Sequence, residues 1–223
     1  MDKKLFTQAI AKFAAGFLLV GLLLFLPAGT LSYWNGWFFM GILFVPMFAA
    51  GIIMLHRNPA LLRSRLDARE KESEQKTVVL LSGLVFIVGF LLCGLSFRFG
   101  WLLLPRWVSL IAGAVFLAVY AVYGEVLREN TYLSRTIGVQ EGQKVIDTGL
   151  YALVRHPMYS TTVVLFLSMP LVLGSLLSFL VFLTYPFILV KRIRNEEEVL
   201  ERDLPGYREY KDKVRYRLIP YLW

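Results

Sequence analysis

The sequence predicts an all-α, polytopic integral membrane protein with four transmembrane helices, a C-terminal helical hairpin and a cytoplasmic amphipathic tail. Two observations support this prediction. Of the 223 residues, 57% are hydrophobic and the mean hydropathy is +0.59, whereas a soluble domain is about 45–50% apolar. The apolar residues are also gathered in long uncharged runs that basic segments separate, which is typical of membrane spans.

Four apolar runs predict the four transmembrane helices. They cover residues 13–31, 34–55, 77–97 and 107–124. Pro27 and Gly29 indicate a turn at the end of the first run, and the fourth helix is expected to continue past Glu125 and Arg128.

Residues 157–190 form an uncharged stretch that is too long for one straight span. A single helix of this length, at about 1.5 Å per residue, would measure about 50 Å, against about 30 Å for the hydrocarbon core. Gly174 and Ser175 near its middle, with Pro170 just before them, predict a helical hairpin. Each arm is slightly short for a full crossing, so a tilted or partly re-entrant hairpin is expected.

The distribution of Lys and Arg predicts the orientation of the chain, since cytoplasmic loops carry the excess of these residues. The 56–76 segment holds six of them, the 98–106 loop two and the 29–33 loop none. Both termini and residues 129–156 are therefore expected in the cytoplasm, with the active site facing it. We divide the chain into N-terminal transmembrane helices, 1–128, and a cofactor-binding and catalytic region, 129–223.

The net charge of +8 favours a membrane surface over nucleic acid as the partner, because the basic residues flank apolar runs. Neither a basic arm nor a zinc-ligand pattern is found, so no nucleic acid and no metal are expected. Cys93 stands alone inside an apolar run and is interpreted as a packing residue. The pattern does not predict an oligomeric state.

Two polar segments carry the residues suited to chemistry, and they flank the two ends of the hairpin. One is 149–159 and the other is 191–198, so we expect them to be neighbours in space. Pro157 suits the first turn of a helix, whose free N–H groups favour an anionic group. His156 and Tyr159 add donors at this point. Arg155 is interpreted as an interfacial anchor or a donor, and Met158 as a packing residue.

Arg192 and Glu196 lie four residues apart, which places them on one face of a helix. A carboxylate at this position can hold a cation, and an arginine can bind a carboxylate through two hydrogen bonds. The alternative is a surface ion pair with a small contribution to stability.

In combination these segments resemble the isoprenylcysteine carboxyl methyltransferase family, with phospholipid N-methyltransferases as more distant relatives. The resemblance covers about residues 125–220. It rests on Asn130-x-x-Leu133-Ser134, Gly149-x-Tyr151, Arg155-His156-Pro157-x-Tyr159, Glu196-Glu197-x-x-Leu200, Pro205-Gly206-Tyr207-x-x-Tyr210-x-x-x-Val214 and Leu218-Ile219-Pro220. The His-Pro-x-Tyr motif alone is less specific, because membrane sterol reductases carry something similar.

The resemblance implies S-adenosylmethionine as the cofactor and methyl transfer at the membrane surface. By the same resemblance, the residues that would hold the cofactor are Gln143, Lys144, Val145 and Ile146 through backbone contacts, and Tyr151, His156, Pro157, Met158, Tyr159 and Glu196. Arg192 would bind the carboxylate of the substrate and act in catalysis with Glu196, and Arg194 competes for the substrate role. Glu197 is a candidate base for an amine acceptor.

The expected function is methyl transfer to a lipid-linked or membrane-embedded acceptor, with a carboxylate favoured over an amine. Two further hypotheses stay open at this point. A membrane reductase would bind NADPH at the same helix N-terminus, although the chain lacks a Gly-x-Gly-x-x-Gly loop. A non-enzymatic membrane scaffold would need neither ligand.

Overall fold

The computed structural model describes residues 3–66, 73–134 and 137–223. These ranges fold into α-helices and one short 3-10 helix, Gly149–Ala152, and they contain no β-strand. The α-helices are α1 (Lys3–Ala28), α2 (Trp34–Arg57), α3 (Pro59–Leu66), α4 (Ser73–Phe99), α5 (Arg106–Glu129), α6 (Pro157–Val172), α7 (Leu176–Phe182), α8 (Tyr185–Asp203) and α9 (Tyr207–Lys213). The prediction of an all-α chain is confirmed.

Five helical segments of the described chain are long and apolar enough to cross a membrane. They are α1, α2, residues 76–99 of α4, α5 and the consecutive helices α7 and α8. The four predicted spans are therefore confirmed, and the chain is an integral membrane protein. The orientation predicted from the loop charges, and the division into 1–128 and 129–223, stay predictions.

Helix boundaries differ from the apolar runs at two places. The first helix begins at Lys3 instead of residue 13, because hydropathy marks the expected edge of the membrane and Lys and Gln continue a helix readily. The polar 56–76 segment contains α3, which the sequence analysis did not predict. Arg69 and Lys71 of this segment lie outside the described residues.

The predicted hairpin is present, and its turn lies at residues 173–175. Gly174 has a positive φ of 76°, which only glycine adopts without strain. The Ser175 side chain then accepts a hydrogen bond of 3.1 Å from the Ser178 backbone N–H and so caps α7. The first arm, α6, has 16 residues and measures about 24 Å, so it is short for a full crossing as predicted.

The C-terminal end of α6 is held by the polar side chains of Asn35 on α2 and of Tyr33, which precedes α2. The Asn35 amide donates to the Val172 carbonyl at 2.8 Å, and the Tyr33 hydroxyl donates to the Leu173 carbonyl at 2.6 Å. These contacts satisfy carbonyl groups that a helix end leaves without partners. Because α6 also packs along α5, its other end is fixed in place, and this end carries His156 to Tyr159.

Candidate cofactor cavity

The two polar segments at the ends of the hairpin are in direct contact, as predicted. The Tyr159 hydroxyl, in the first turn of α6, donates a hydrogen bond to Oε2 of Glu196 on α8. The Arg192 Nε donates to the same hydroxyl at 2.8 Å, and its guanidinium carbon lies 5.9 Å from the centre of the Tyr159 ring. Arg192, Tyr159 and Glu196 thus form a connected group between the two helices.

The chain after α9 closes this region from a third side. The backbone N–H of Arg155 donates to the Tyr216 carbonyl at 2.9 Å, and that of His156 donates to the Arg217 carbonyl at 3.0 Å. This backbone pairing satisfies two N–H groups of the loop before α6 that would otherwise lack a partner. Pro157 begins α6 as predicted. The backbone N–H of a first helical residue has no partner within the helix, so proline, which lacks this group, suits the position.

A buried ion cluster lies beside the pairing and consists of Arg155, His156, Glu197 and Arg217. The Glu197 carboxylate accepts from Arg155 Nε at 2.8 Å and from Arg217 Nε at 2.9 Å, and it lies 3.2 Å from His156 Nε2. The Arg155 and Glu197 side chains are each only 4% exposed. Arg155 also donates to the carbonyls of Val214 and Arg215, at 2.7 and 2.8 Å.

The ion cluster corrects two interpretations made from the sequence. Arg155 is not an interfacial anchor, because its guanidinium is buried against Glu197 and the tail. Glu197 is not a free base. Burial raises the pKa of this carboxyl, but hydrogen bonds from His156, Arg217 and Arg155 outweigh burial, so the pKa is well below its ordinary value.

Beside the ion cluster is a cavity that is partly open to solvent, and the empty space within it, open solvent included, is about 800 Å³. It lies between the 130–146 segment, the start of α6, the charged end of α8 and the start of α9. Ten of the predicted site residues line it: Gln143, Lys144, Val145, Ile146, Tyr151, His156, Met158, Tyr159, Arg192 and Glu196. Asn130, Leu133 and Ser134 of the upstream motif line it as well.

Three predicted site residues are not part of the cavity wall. Pro157 is buried and serves to begin α6. Glu197 points into the ion cluster, on the side of α8 that faces the C-terminal tail. Arg194 is exposed, whereas Arg192 lines the cavity. Of the two arginines in competition, the geometry favours Arg192.

Several further cavity residues were given no cofactor or substrate contact from the sequence, although Arg155, Leu200, Tyr207 and Tyr210 stand in its motifs. They are Tyr132, Ile137, Gly138, Arg155, Leu200, Leu204, Tyr207 and Tyr210. One signal was available for two of them, since Arg192, Glu196, Leu200 and Leu204 recur at intervals of four residues and so follow one helix face. The loop and α9 residues lack such a pattern, because tertiary folding alone brings them to the cavity.

Two tyrosine hydroxyls on the cavity wall lack a hydrogen-bond partner among the described residues. The hydroxyls of Tyr151 and Tyr207 are buried and meet no hydrogen-bond partner among the described residues, although the Asn130 side chain lies beside that of Tyr151. Burial raises the pKa of both hydroxyls above the ordinary value, so both remain protonated donors at neutral pH. A buried donor without a partner is costly, and a polar ligand in the cavity would satisfy it.

Two comparisons with known proteins bear on this region. The family model of the isoprenylcysteine carboxyl methyltransferase (ICMT) family matches residues 108–202, from α5 almost to the end of α8. The Delta(14)-sterol reductase TM7SF2 of Mus musculus is 33% identical over 91 residues, which is 40% of this chain and 22% of that protein. The chain thus matches only about a fifth of the length of this relative.

The two matches differ in what they support. A similarity confined to 22% of the reductase is distant support for a reductase. The family match includes α6 and α8 with His156, Tyr159, Arg192 and Glu196, which are cavity residues. The resemblance predicted from the sequence is therefore confirmed, since residues 108–202 of this membrane protein are similar to the isoprenylcysteine carboxyl methyltransferase family.

Proposed function

We propose that this protein transfers a methyl group from S-adenosylmethionine to a lipid-linked or membrane-embedded acceptor. The observation that carries the proposal is the cavity in the family-matched region, with Glu196 and the unpartnered hydroxyls of Tyr151 and Tyr207 on its wall.

The residues of the cavity fit a sulfonium cofactor. Five tyrosines line it: Tyr132, Tyr151, Tyr159, Tyr207 and Tyr210. Aromatic faces and a carboxylate both attract a cation, and Glu196 supplies the carboxylate beside Tyr159. The hydroxyls of Tyr151 and Tyr207 would donate to polar atoms of the cofactor, and residues 143–146 would contact it from the loop.

S-adenosylmethionine, when bound, supplies an electrophilic methyl group. The protein has to position the acceptor in line with that group and to exclude water. Arg192 is suited to orient an acceptor carboxylate, because a guanidinium binds a carboxylate through two parallel hydrogen bonds. Tyr159, which accepts from Arg192 and donates to Glu196, couples the acceptor side to the cofactor side.

The acceptor that this site suits best is a carboxylate, as in the O-methylation that the family name describes. A carboxylate is ionised at neutral pH and needs no general base, whereas an amine has to lose a proton. Glu197 is the candidate base predicted from the sequence, but its carboxylate is hydrogen-bonded to Arg155, His156 and Arg217. An amine acceptor, as in phospholipid N-methylation, is the second choice. We propose that the acceptor enters from the bilayer and the cofactor from the cytoplasm.

The similarity to a sterol reductase favours one competing function, an NADPH-dependent membrane reductase. The two functions predict opposite responses to removal of the Glu196 charge. In a methyltransferase, Glu196→Gln weakens S-adenosylmethionine binding by about tenfold, because a cation loses its counter-ion. In a reductase, the same variant strengthens NADPH binding, because a repulsion between anions is removed.

The test is isothermal titration calorimetry of the purified full chain with S-adenosylmethionine and with NADPH. Glu198→Gln is the matched control, since Glu198 is exposed on the same helix and should leave both affinities unchanged. Binding of NADPH alone would replace the proposal with the reductase, and binding of neither ligand would favour a non-enzymatic scaffold. The label is then followed from radioactive cofactor into membrane lipid. Release of the labelled methyl group by base would identify an ester product.

A further inference from the structure

Arg65 is a basic residue that lies outside the family match and still reaches the candidate site. It is on α3, and its Nη2 donates a hydrogen bond to the Tyr123 hydroxyl of α5. Its guanidinium carbon is 5.8 Å from the centre of the Tyr123 ring. Its Nη1 is 3.9 Å from the sulfur of Met158, which lines the cofactor cavity. Arg65 therefore lies directly behind one wall of the cavity.

The Arg65 side chain is half-buried, and it meets no negative partner among the side chains of residues 3–66, 76–134 and 137–223. Its hydrogen-bond partners in these ranges are a tyrosine hydroxyl and a thioether, and neither carries a charge. Partial burial of a cation is costly unless an anion accompanies it. The uncharged surroundings of Arg65 thus leave its charge available to an anionic ligand.

Arg65 and Arg192 lie on two sides of the same helical turn. Met158 contacts Arg65, and the next residue, Tyr159, contacts Arg192. Consecutive residues of α6, Met158 and Tyr159, therefore connect Arg65 on α3 with Arg192 on α8, and both Met158 and Tyr159 line the cavity.

Helix α5, which Arg65 contacts through Tyr123, also carries exposed apolar side chains. On α5, Leu117 and Val122 are 41% and 42% exposed, and such apolar side chains face the hydrocarbon of a bilayer in a spanning helix. A ligand that reaches Arg65 along α5 can thus keep an apolar chain in the membrane while its polar end meets the guanidinium.

We propose that Arg65 selects the membrane acceptor by binding an acidic group, a carboxylate or a phosphate, on the membrane side of Met158. This inference rests on the proposed function and deepens it. Arg65 binds the anionic end of the acceptor beside the cavity, and Arg192 orients the reacting group within it. The residue that sets acceptor charge preference thus lies on α3, in the N-terminal part of the chain.

The experiment compares three probes that share one apolar chain and differ in charge. They are N-acetyl-S-farnesylcysteine, its methyl ester and farnesyl phosphate, and their affinities for the full chain are measured in uncharged detergent by microscale thermophoresis. The variants are Arg65→Gln and, as the matched control, Arg63→Gln, which removes the same charge from an exposed position of α3. Thermal unfolding verifies that each variant is folded.

Wild-type protein is expected to bind at least one anionic probe about tenfold more tightly than the ester. In Arg65→Gln this preference falls by about threefold to tenfold, because only Arg192 remains to bind the anion, and in Arg63→Gln it persists. The anion that loses more affinity in Arg65→Gln identifies the acidic group that Arg65 binds as carboxylate or phosphate. If Arg65→Gln does not fold, Tyr123→Phe replaces it. This variant keeps the charge of Arg65 but removes the hydrogen bond that holds its guanidinium, and it is expected to reduce the preference by about threefold.

Two outcomes overturn the inference: wild-type protein without a preference for an anion, or an unchanged preference in the folded Arg65 variant. Binding of S-adenosylmethionine is measured in the same samples. Its loss in wild-type protein would overturn the proposed function, whereas intact cofactor binding without an anion preference overturns the role of Arg65 alone.

Discussion

The ion cluster and the candidate cofactor cavity are adjacent regions that meet at α8, and they differ in how completely their polar groups are paired. In the ion cluster, the Glu197 carboxylate meets two arginines and a histidine at 2.8 to 3.2 Å. In the cavity, the hydroxyls of Tyr151 and Tyr207 meet no partner in the described part of the chain. A satisfied network fixes the chain in place, whereas an unsatisfied one provides places for a ligand.

The helix period of α8 accounts for this difference. Consecutive residues of an α-helix point about 100° apart, so Glu196 and Glu197 cannot share a side. Glu196 therefore faces the cavity and Tyr159, and Glu197 faces the C-terminal tail and Arg217. Two neighbouring residues of the same type thus have different surroundings, and we expect Glu196 to bind the ligand and Glu197 to position the chain.

The largest effect is expected from Glu197→Gln, which removes the central anion of the ion cluster. The variant leaves Arg155 buried with a reduced set of partners, and breaking a buried ion pair in this way typically costs about 3–5 kcal/mol. We expect the free energy of unfolding to fall by about this amount, as measured by chemical or thermal unfolding in detergent. Glu198→Gln is the control, because Glu198 is exposed.

The stabilising effect of Glu197 should also depend on pH. Because the pKa of this carboxyl is lowered in the folded protein, its contribution is present above the unfolded pKa, near the ordinary value of 4.5. It is lost as the pH falls below that value. The difference in unfolding free energy between wild type and Glu197→Gln should therefore shrink from pH 6 to pH 3. If the Glu197→Gln protein is as stable as wild type but transfers no methyl group, the result would instead indicate that Glu197 is a catalytic base.

A smaller effect is expected from Arg192→Lys, which tests the cavity side of the comparison. Lysine keeps the charge but loses the planar fork that binds a carboxylate through two hydrogen bonds. We expect methyl transfer to fall by about tenfold to a hundredfold with little change in cofactor affinity, as measured with radiolabelled cofactor and by calorimetry. Arg194→Lys, at an exposed position, should match wild type. The reverse result would assign the acceptor to Arg194.

The membrane spans, the hairpin and the meeting of its two ends were predictable from the sequence. Each follows from features of one segment, such as an uncharged stretch of excessive length with Gly174 at its middle. The choice between Glu196 and Glu197 was not predictable, because it depends on how α8 is rotated against α6 and the tail. The burial of Arg155 was missed for a similar reason, since its partners lie 42 to 60 residues away.

The contact of Arg65 with Met158 shows the same limit, because 93 residues separate the two in the chain. The number of Lys and Arg residues in the 56–76 segment predicted a basic cytoplasmic loop that includes Arg65, and this prediction uses only the local composition. It cannot distinguish Arg63, which is exposed, from Arg65, which is half-buried against α5 and α6. Only the fold of α3 separates these two arginines.

The smallest and most specific effect is expected from a pair of tyrosines on α9, both of which line the cavity. Tyr207→Phe removes a buried hydroxyl without a partner, so the free protein should be as stable as wild type or slightly more stable. If that hydroxyl binds the cofactor, affinity for S-adenosylmethionine falls by about threefold to tenfold.

Tyr210→Phe should show the reverse pattern, because the Tyr210 hydroxyl donates to the Tyr151 carbonyl at 2.7 Å. Its removal leaves a buried carbonyl without that donor and should cost about 1–3 kcal/mol of unfolding free energy, with a smaller change in cofactor affinity. Thermal unfolding and calorimetry on the two variants measure both quantities. Equal behaviour of the two variants would mean that the unpartnered hydroxyls do not mark the binding surface, since only their partnering distinguishes two tyrosines of the same helix and the same cavity.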